Sequence, residues 1–265
     1  MSNFLKEKNI EQWATIPDTQ IFSNNRGEPR GIDIRAFKAV ENCLKEYWWD
    51  GCVILGDFMD FNCISHFNKG SPGLVEGQTL AKDYKIANEI LDRLLRAIRK
   101  KNPKAKIIYL EGNHEYRVIK YINENPERKG HDEVPINLRL KERDIRWVPY
   151  YDKNRYLIKG KLTFIHGIFV TDLHAKAHVM KYGTSIITGH DHDLQIYSYH
   201  RAGKNDNIVG VSMMCLCTPQ RWEKGPNRWQ LGWGVVSFWK NGYFQIHPIP
   251  INGYRFVFNN KEYKA

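Results

Sequence analysis

The sequence predicts an α/β protein, a four-layer αββα sandwich in which helices flank two mixed β-sheets. Three observations predict this fold. Over the first half of the chain, short apolar runs alternate with amphipathic segments of helical period, which gives a βαβαβ order. The second half is dominated by short β-prone runs between turn residues, which is typical of antiparallel pairing. Several apolar runs also stop at Asp, Asn or His, as buried strands do where a sheet opens into a crevice.

The first half of the chain supplies three strands and two long helices. Residues 13–16 predict the first strand, since Pro17 stops the run. Residues 32–49 and 84–101 carry apolar side chains at helical spacing, and each predicts an amphipathic helix. Residues 53–55 and 107–110 predict the second and third strands. Residues 61–80, rich in Gly and Pro, predict a long loop over the site.

The second half predicts two shorter helices and most of the strands. The helices are expected over 115–123 and 171–182, and the polar segment 124–145 is expected to form a small cap. The strands are expected over 146–148, 155–158, 162–165, 185–188, 195–199, 208–215, 234–239 and 243–246. We expect a hairpin through Lys159-Gly160-Lys161 and a single domain spanning residues 1–265.

The composition and charge of the chain indicate its kind of partner and its cellular environment. Of 265 residues, 42% are hydrophobic, which is enough for a large packed core. The formal charge is +11, which favours a polyanionic partner such as nucleic acid; a charge that only maintains solubility is the alternative. The five cysteines are few and lie mostly in apolar runs, which indicates reduced thiols. With no apolar run of membrane-spanning length, these features predict a soluble, cytoplasmic protein that does not engage a membrane. The oligomeric state stays open.

The polar strand ends form five short motifs with the residue types that bind metals and move protons. In chain order they are Asp18-x-Gln20, Gly56-Asp57-x-x-Asp60, Gly112-Asn113-His114-Glu115, His166-Gly167 and Gly189-His190-x-His192. A hydrolytic centre with two divalent cations needs oxygen and imidazole ligands, with positions left for water and phosphate. A carboxylate can bridge the two cations, while imidazole and amide groups keep the negative charge low enough for an anionic substrate to approach. The motifs therefore predict a dinuclear metal centre.

The five motifs, in this order, resemble those of the calcineurin-like metallophosphoesterase superfamily, DxH, GDxxD, GNH[DE], H and GHxH. The match runs from Asp18 to His192. The segment 219–233 that follows it, here called the tail, looks similar to the tail of phage-encoded members. The resemblance implies that Asp57 bridges two cations, that Asp18 and His192 bind one of them, and that Asn113, His166 and His190 bind the other. It also implies that His114 is the general acid and Asp60 its orienting partner.

The first motif departs from the family pattern, because Gln20 stands where the family has His. A Gln carbonyl oxygen favours harder cations, so Mn²⁺ is the expected cofactor, with Mg²⁺, Fe and Zn²⁺ as alternatives. The first cation site is then weaker, or filled only together with substrate. In the alternative interpretation Gln20 does not contact metal. Cys215 and Cys217, one residue apart, would share one face of a strand, and a metal pair there is the less favoured interpretation.

Substrate contacts are predicted less sharply. Arg117, one helical step after His114, can clamp a phosphate or be an ordinary surface arginine. His66 in the long loop is a second candidate, and Asn113 can contact phosphate as well as metal. The tail 219–233 interleaves Trp and Arg, which fits either a base-stacking platform or an ordered loop packed on the sandwich edge.

The sequence thus predicts a metal-dependent phosphoesterase that hydrolyses phosphodiester bonds in nucleic acid by in-line attack of metal-bound hydroxide. One alternative is a phosphomonoesterase that acts on nucleotides, nucleic-acid ends or phosphoproteins. The other is a non-catalytic nucleic-acid-binding module with a degenerate metal site, for which Gln20 is the best support.

Overall fold

A computed structural model describes residues 10–150, 155–203, 206–219 and 227–265. Its strands are β1 (Ile10–Ile16), β2 (Phe22–Ser23), β3 (Pro29–Arg30), β4 (Gly51–Ile54), β5 (Lys106–Leu110), β6 (Ile145–Val148), β7 (Tyr156–Ile158), β8 (Leu162–Phe164), β9 (Ser185–Thr188), β10 (Gln195–Arg201), β11 (Asp206–Ser212), β12 (Gly232–Trp239), β13 (Phe244–Pro250), β14 (Arg255–Phe258) and β15 (Lys261–Lys264). Its α-helices are α1 (Ile34–Leu44), α2 (Leu80–Arg99), α3 (Tyr116–Glu124), α4 (Val134–Asn137) and α5 (His174–Tyr182).

Six strands form the first mixed sheet, in the order β13-β12-β1-β4-β5-β6. The four strands β1, β4, β5 and β6 run parallel. Helix α1 connects β1 to β4, and α2 connects β4 to β5, so each strand starts again from the same edge of the sheet. Ile16 pairs with Ile54, and Ile54 with Tyr109, so the carboxyl ends of β1, β4 and β5 lie side by side at one edge. This register brings the loops that follow these strands together.

Five strands form the second sheet, in the order β10-β11-β9-β8-β7. Here β8, β9 and β11 run parallel, while β7 and β10 are antiparallel edge strands. The predicted hairpin joins β7 to β8, and Lys159 and Gly160 at its turn both have positive φ, as a two-residue hairpin turn requires. The carboxyl ends of β8 and β9 therefore also lie next to each other.

Among the residues that the structure describes, the buried side chains fall into three groups, which define four layers. One core lies between the sheets, where Val53 and Leu110 of the first sheet pack with Phe164 and Val211 of the second. A larger core lies between the first sheet and the helices α1 and α2. The third joins α5 to the outer face of the second sheet, through Val179 and its neighbours. The predicted αββα sandwich is confirmed.

The helix bounds differ from the prediction at their ends. The first helix begins at Ile34, because the Asp33 carboxylate caps it by accepting from the Ala36 N–H at 2.9 Å. The second begins at Leu80, four residues earlier than predicted, with Thr79 as its N-cap. The expected strand 208–215 ends at Ser212, since the chain then leaves the sheet and Cys215 forms a bridge with Leu231 instead.

Two short hairpins were not predicted, β2–β3 inside an expected loop and β14–β15 at the end of the described chain. Within 61–80 the structure contains three short 3-10 turns before α2 begins, and α4 lies in the segment predicted as a cap. The prediction of a single domain stays a prediction. Among the described residues, no helix combines the length and apolar character that crossing a membrane requires.

Candidate metal centre

The polar residues that follow the parallel strands of both sheets meet at one place. Both the Thr19 and the Gln20 N–H groups donate to the carbonyl of Asp57, at 3.1 and 2.8 Å, which joins the loops after β1 and β4. The Gly189 N–H donates to the carbonyl of His166 at 2.8 Å, which joins the loops after β8 and β9. Because all these loops leave carboxyl ends of parallel strands, their side chains face a common space between the sheets.

Four of the predicted ligands form the first half of the site. Donor atoms of Asp57, His166 and His190 all lie within 4.8 Å of one another. His166 Nε2 lies 3.3 Å from the Asp57 carboxylate and 2.9 Å from Asn113 Oδ1. The His166 Nδ1–H donates to the Leu55 carbonyl at 2.8 Å, which directs the lone pair of Nε2 into the site. Four side chains with lone-pair donor atoms therefore converge, and this donor set fits a divalent cation.

The second half of the site is built from Asp18, Gln20 and His192. Nε2 of His192 lies 3.2 Å from Asp18 Oδ1 and 3.3 Å from the side-chain nitrogen of Gln20. Gln20 is buried, and its Oε1 has no hydrogen-bond partner among the described residues. Rotation of the amide exchanges its oxygen and nitrogen, so the carbonyl oxygen can take the position facing His192. A buried carbonyl oxygen without a partner, beside a carboxylate and an imidazole, also fits a cation site; that Gln20 binds metal stays a prediction.

Without cations, protons compensate the buried carboxylates. Burial opposes the charge on His166, but the Asp57 carboxylate outweighs it and raises the pKa of His166 to about 10. Burial likewise opposes the charge on His192, and hydrogen bonding to Asp18 raises its pKa to about 9. Burial, together with repulsion from His166, lowers the pKa of His190 to about 4. A cation held here would require His166 and His192 to be neutral, because a ligating imidazole must have given up its second proton.

Beside this donor set, His114 lies between Asp60 and Arg117. The His114 Nδ1 atom is 2.6 Å from Asp60 Oδ1, and its Nε2 is 3.6 Å from the Asp57 carboxylate. Arg117 donates to the carbonyl and carboxylate of Asp60, at 2.7 and 2.9 Å, and its Nη2 lies 3.0 Å from His114 Nε2. With 15% of its side chain exposed, Arg117 is not an ordinary surface arginine. Asp60 therefore orients both side chains toward the candidate centre.

Two glycines of the motifs are required because candidate ligands lie too close to them for a side chain to fit. A Cβ atom on Gly112 would collide with the Asp57 carboxylate, and one on Gly189 would collide with the Asp18 carboxylate. The backbone of the candidate ligands is itself unusual, with positive φ at Gln20 (48°), Asp57 (46°), His190 (79°) and His192 (64°). Left-handed backbone at non-glycine residues costs free energy and concentrates at functional sites.

Glu115 has a function that the sequence analysis missed. It was expected only to begin a helix, but its buried carboxylate accepts from the N–H groups of Asp57, Met59 and Gly112 at 2.9–3.0 Å. The Tyr109 hydroxyl also donates to it, at 2.8 Å. Burial and repulsion from Asp57 raise the pKa of Glu115 to about 7. Glu115 thus fixes the loops after β4 and β5 relative to each other. The only sequence signal was the acidic fourth position of its motif.

We expect Glu115→Gln to lower the free energy of unfolding by about 3 kcal/mol, because the new amide nitrogen faces N–H donors and leaves two of them buried without an acceptor. The measurement is denaturant unfolding at pH 8 in a chelating buffer, so that cation binding does not contribute. Glu89→Gln, on the exposed face of α2, is the matched control and should unfold like the wild type. Equal stability of the two variants would contradict this function of Glu115.

A second set of buried polar groups supports the loop that carries His190 and His192. His174 Nε2 lies 3.0 Å from Asp193 Oδ1, and His174 Nδ1 lies 3.8 Å from Asp191 Oδ1. The two carboxylates therefore lie near different nitrogens of the same ring. His178 donates through Nδ1 to the His174 carbonyl and accepts from the Ile168 N–H through Nε2. Both nitrogens of His178 are therefore used within the protein.

A groove of about 800 Å³ opens next to the site, between the 62–75 segment and α3. Its lining includes His66, Phe67, Lys69, Asn113, Arg117 and Lys120. The predicted substrate residues His66 and Arg117 therefore line one groove, although His66 stacks on Phe67, with ring centroids 3.9 Å apart, rather than on a candidate ligand. In the predicted aromatic tail, residues 220–226 lie outside the described residues. Trp229 packs edge-on against His192, with ring centroids 4.1 Å apart.

Comparison with known proteins gives distant likenesses in structure. The chain is similar to Vps29 of Chaetomium thermophilum, at 10% identity over 91% of this chain and 97% of that one, with a TM-score of 0.41. It is also similar to the NAD nucleotidase NadN of Haemophilus influenzae, at 12% identity over 96% of this chain, with a TM-score of 0.37; it spans 53% of that protein. No protein-family model matches the chain, and no curated protein matches its sequence.

Proposed function

We propose that this chain is a calcineurin-like metallophosphoesterase that hydrolyses phosphodiester bonds, with nucleic acid as its substrate. The observation that carries the proposal is the meeting of Asp18, Asp57, Asn113 and three histidines at one end of both sheets, next to His114. These residues come from five separate motifs, and the fold has brought them into two neighbouring groups, with His166 Nε2 3.3 Å from Asp57 and His192 Nε2 3.2 Å from Asp18. Neither a structural core nor a simple anion site needs so many converging ligands.

The donor set divides into two halves that would hold two divalent cations. Asn113, His166 and His190 would hold one, Asp18, Gln20 and His192 the other, and Asp57 would serve both. The chemistry that such a cation pair supplies is Lewis acidity toward phosphate and activation of a water molecule for in-line attack. Oxygen ligands from carboxylates and amides together with imidazole favour Mn²⁺, with Mg²⁺, Fe or Zn²⁺ as alternatives.

His114 is placed to transfer a proton to the leaving oxygen. A guanidinium only donates, so the 3.0 Å contact with Arg117 uses the lone pair of His114 Nε2, while Nδ1–H donates to Asp60. Protonation of a leaving oxygen needs a proton on Nε2, and Arg117 must then turn toward a bound phosphate. Arg117 thus contributes a phosphate contact, while Asp60 stabilises the protonated imidazole.

The basic groove favours nucleic acid over a small phosphomonoester. Besides Asn113 and Arg117 it is lined by Lys120 and by Lys69, which pairs with Glu124 at 3.3 Å. The cationic groups outnumber this one carboxylate in the lining, and they suit the phosphates that flank a cleaved bond. Phe67 lines the groove and is 76% exposed, so its ring is accessible to a bound base. Stacking of a base on this ring would explain its exposure.

We expect Phe67→Ala to raise the KM for a single-stranded oligonucleotide by about 10-fold, since loss of one stacked base costs roughly 1–3 kcal/mol. Hydrolysis of bis-nitrophenyl phosphate, which has no base, should stay as in the wild type. Leu74→Ala is the control, because Leu74 is exposed on the same loop but does not line the groove. Equal KM values for Phe67→Ala and wild type would exclude base stacking on Phe67.

Product analysis tests the reaction itself. The protein is incubated with Mn²⁺ and either bis-nitrophenyl phosphate or end-labelled single- and double-stranded DNA and RNA. Shortened products are expected for the proposed phosphodiesterase. Loss of the terminal label alone would indicate a phosphomonoesterase, and binding without turnover of any substrate would indicate a non-catalytic nucleic-acid-binding module.

A further inference from the structure

Two cysteine thiols lie behind His192, on the side of the ring away from Asp18. Donor atoms of His192, Cys215 and Cys217 all lie within 4.8 Å of one another, and all three residues are buried. The Sγ atom of Cys217 is 4.0 Å from His192 Nδ1. Both cysteines are free thiols. Nothing in the proposed phosphoesterase chemistry uses them.

The backbone holds these thiols against the candidate centre. The Leu216 N–H donates to the Asp18 carbonyl at 2.8 Å, so the segment that carries the thiols is joined to the first motif. The Cys215 N–H donates to the Gln230 carbonyl, and the Gln230 N–H donates to the His192 carbonyl. The two thiols and the ring are thus positioned by the same short network, rather than by loose packing in a core.

The spacing suits a thiophilic cation. With Zn–S near 2.3 Å and Zn–N near 2.0 Å, ligand atoms around a tetrahedral zinc ion lie roughly 3.5–4 Å apart. The 4.0 Å between Cys217 Sγ and His192 Nδ1 is close to this spacing. Soft thiolate ligands select Zn²⁺, Co²⁺ or Cd²⁺ over the harder Mg²⁺ and Mn²⁺. Two thiolates and one imidazole also leave a fourth position for water or another ligand.

We propose that His192, Cys215 and Cys217 form a binding site for a thiophilic divalent cation such as Zn²⁺, separate from the site built on Asp18 and Gln20. The two sites share one imidazole, which has a single lone pair when it is neutral. Binding through Nδ1 leaves the proton on Nε2, which faces Asp18. A cation held by the thiols therefore removes His192 from the set that would hold a cation beside Asp18. This inference goes beyond the proposed function, although it uses one of the same residues.

Cobalt spectroscopy tests the site on the reduced protein. Addition of Co²⁺ should produce a thiolate-to-cobalt charge-transfer band in the near ultraviolet, which oxygen and nitrogen ligands do not give. Cys217→Ala and Cys215→Ala should each lose most of the band. Cys52→Ala, a buried cysteine on β4 that packs toward the helices, is the matched control and should keep it. Bound Co²⁺ without the band in the wild type, or a band that survives in both thiol variants, would overturn the proposal.

A second measurement needs no variant and so does not depend on their folding. X-ray absorption of the wild type with one equivalent of Zn²⁺ should show sulfur at about 2.3 Å from the metal; a shell of oxygen and nitrogen alone would overturn the site. The phosphoesterase proposal is scored separately, by hydrolysis with Mn²⁺. A thiolate band without hydrolysis contradicts only the proposed function, while hydrolysis without the band contradicts only the thiol site.

Discussion

Asp57→Asn should reduce the Mn²⁺-dependent hydrolysis of bis-nitrophenyl phosphate by at least about 10³-fold, which corresponds to about 4 kcal/mol of lost transition-state stabilisation. The Asp57 carboxylate lies 3.3 Å from His166 Nε2 and 3.6 Å from His114 Nε2, and it is 1% exposed. The substitution keeps the shape of the side chain but removes the charge that would hold two cations together. We therefore expect the loss to come from metal binding.

Metal analysis of the same preparations separates this cause from misfolding. The affinity of Asp57→Asn for Mn²⁺ should fall by at least about 100-fold, since even partners that only orient metal ligands contribute 10–100-fold. The matched control is Asp33→Asn, because Asp33 is a buried N-cap and Asn caps a helix equally well. That variant should bind and hydrolyse as the wild type does. Wild-type hydrolysis and metal content in Asp57→Asn would refute the dinuclear centre.

His114→Ala should produce the second largest effect, and its size should depend on the leaving group. For an oligonucleotide, whose leaving alkoxide needs a proton, kcat should fall by about 10²–10⁴-fold. For bis-nitrophenyl phosphate, whose nitrophenolate leaves as a stable anion, the loss should be much smaller. This difference identifies a general acid, because a residue that only supports the fold would affect both substrates equally.

Substitution of the neighbouring Asp60 should lower kcat to a value between those of the wild type and His114→Ala. Asp60→Asn keeps a hydrogen bond to His114 Nδ1 but no longer stabilises the imidazolium, so it should lower kcat for the oligonucleotide less than His114→Ala does. His200→Ala, on the exposed face of β10, is the control histidine and should leave both substrates unaffected. Equal losses on both substrates in His114→Ala would show that His114 is not the general acid.

The spacing of apolar and polar residues along the chain determined the order of the layers and the residues that meet at the strand ends. Helical and strand periods depend on neighbouring residues, so the αββα arrangement could be predicted from the chain alone. The same is true of the motifs, since a residue that follows a parallel strand must lie at one edge of its sheet. Helix ends were predicted less well, because Asp33 and Thr79 cap helices by hydrogen bonds that periodicity does not show.

The tertiary structure alone decided which groups hold the candidate ligands in position and which groups lie on the other side of the His192 ring. Three of the four donors to Glu115 come from the loops after β4 and β5, and the fourth, Tyr109, lies on β5 itself; no spacing rule identifies such an acceptor. The two nitrogens of His192 face different partners, Asp18 on one side and Cys217 on the other. Sequence determines which groups reach a strand end. The stacking of the sheets determines which atom of each group faces which neighbour, because those contacts join segments that are remote along the chain.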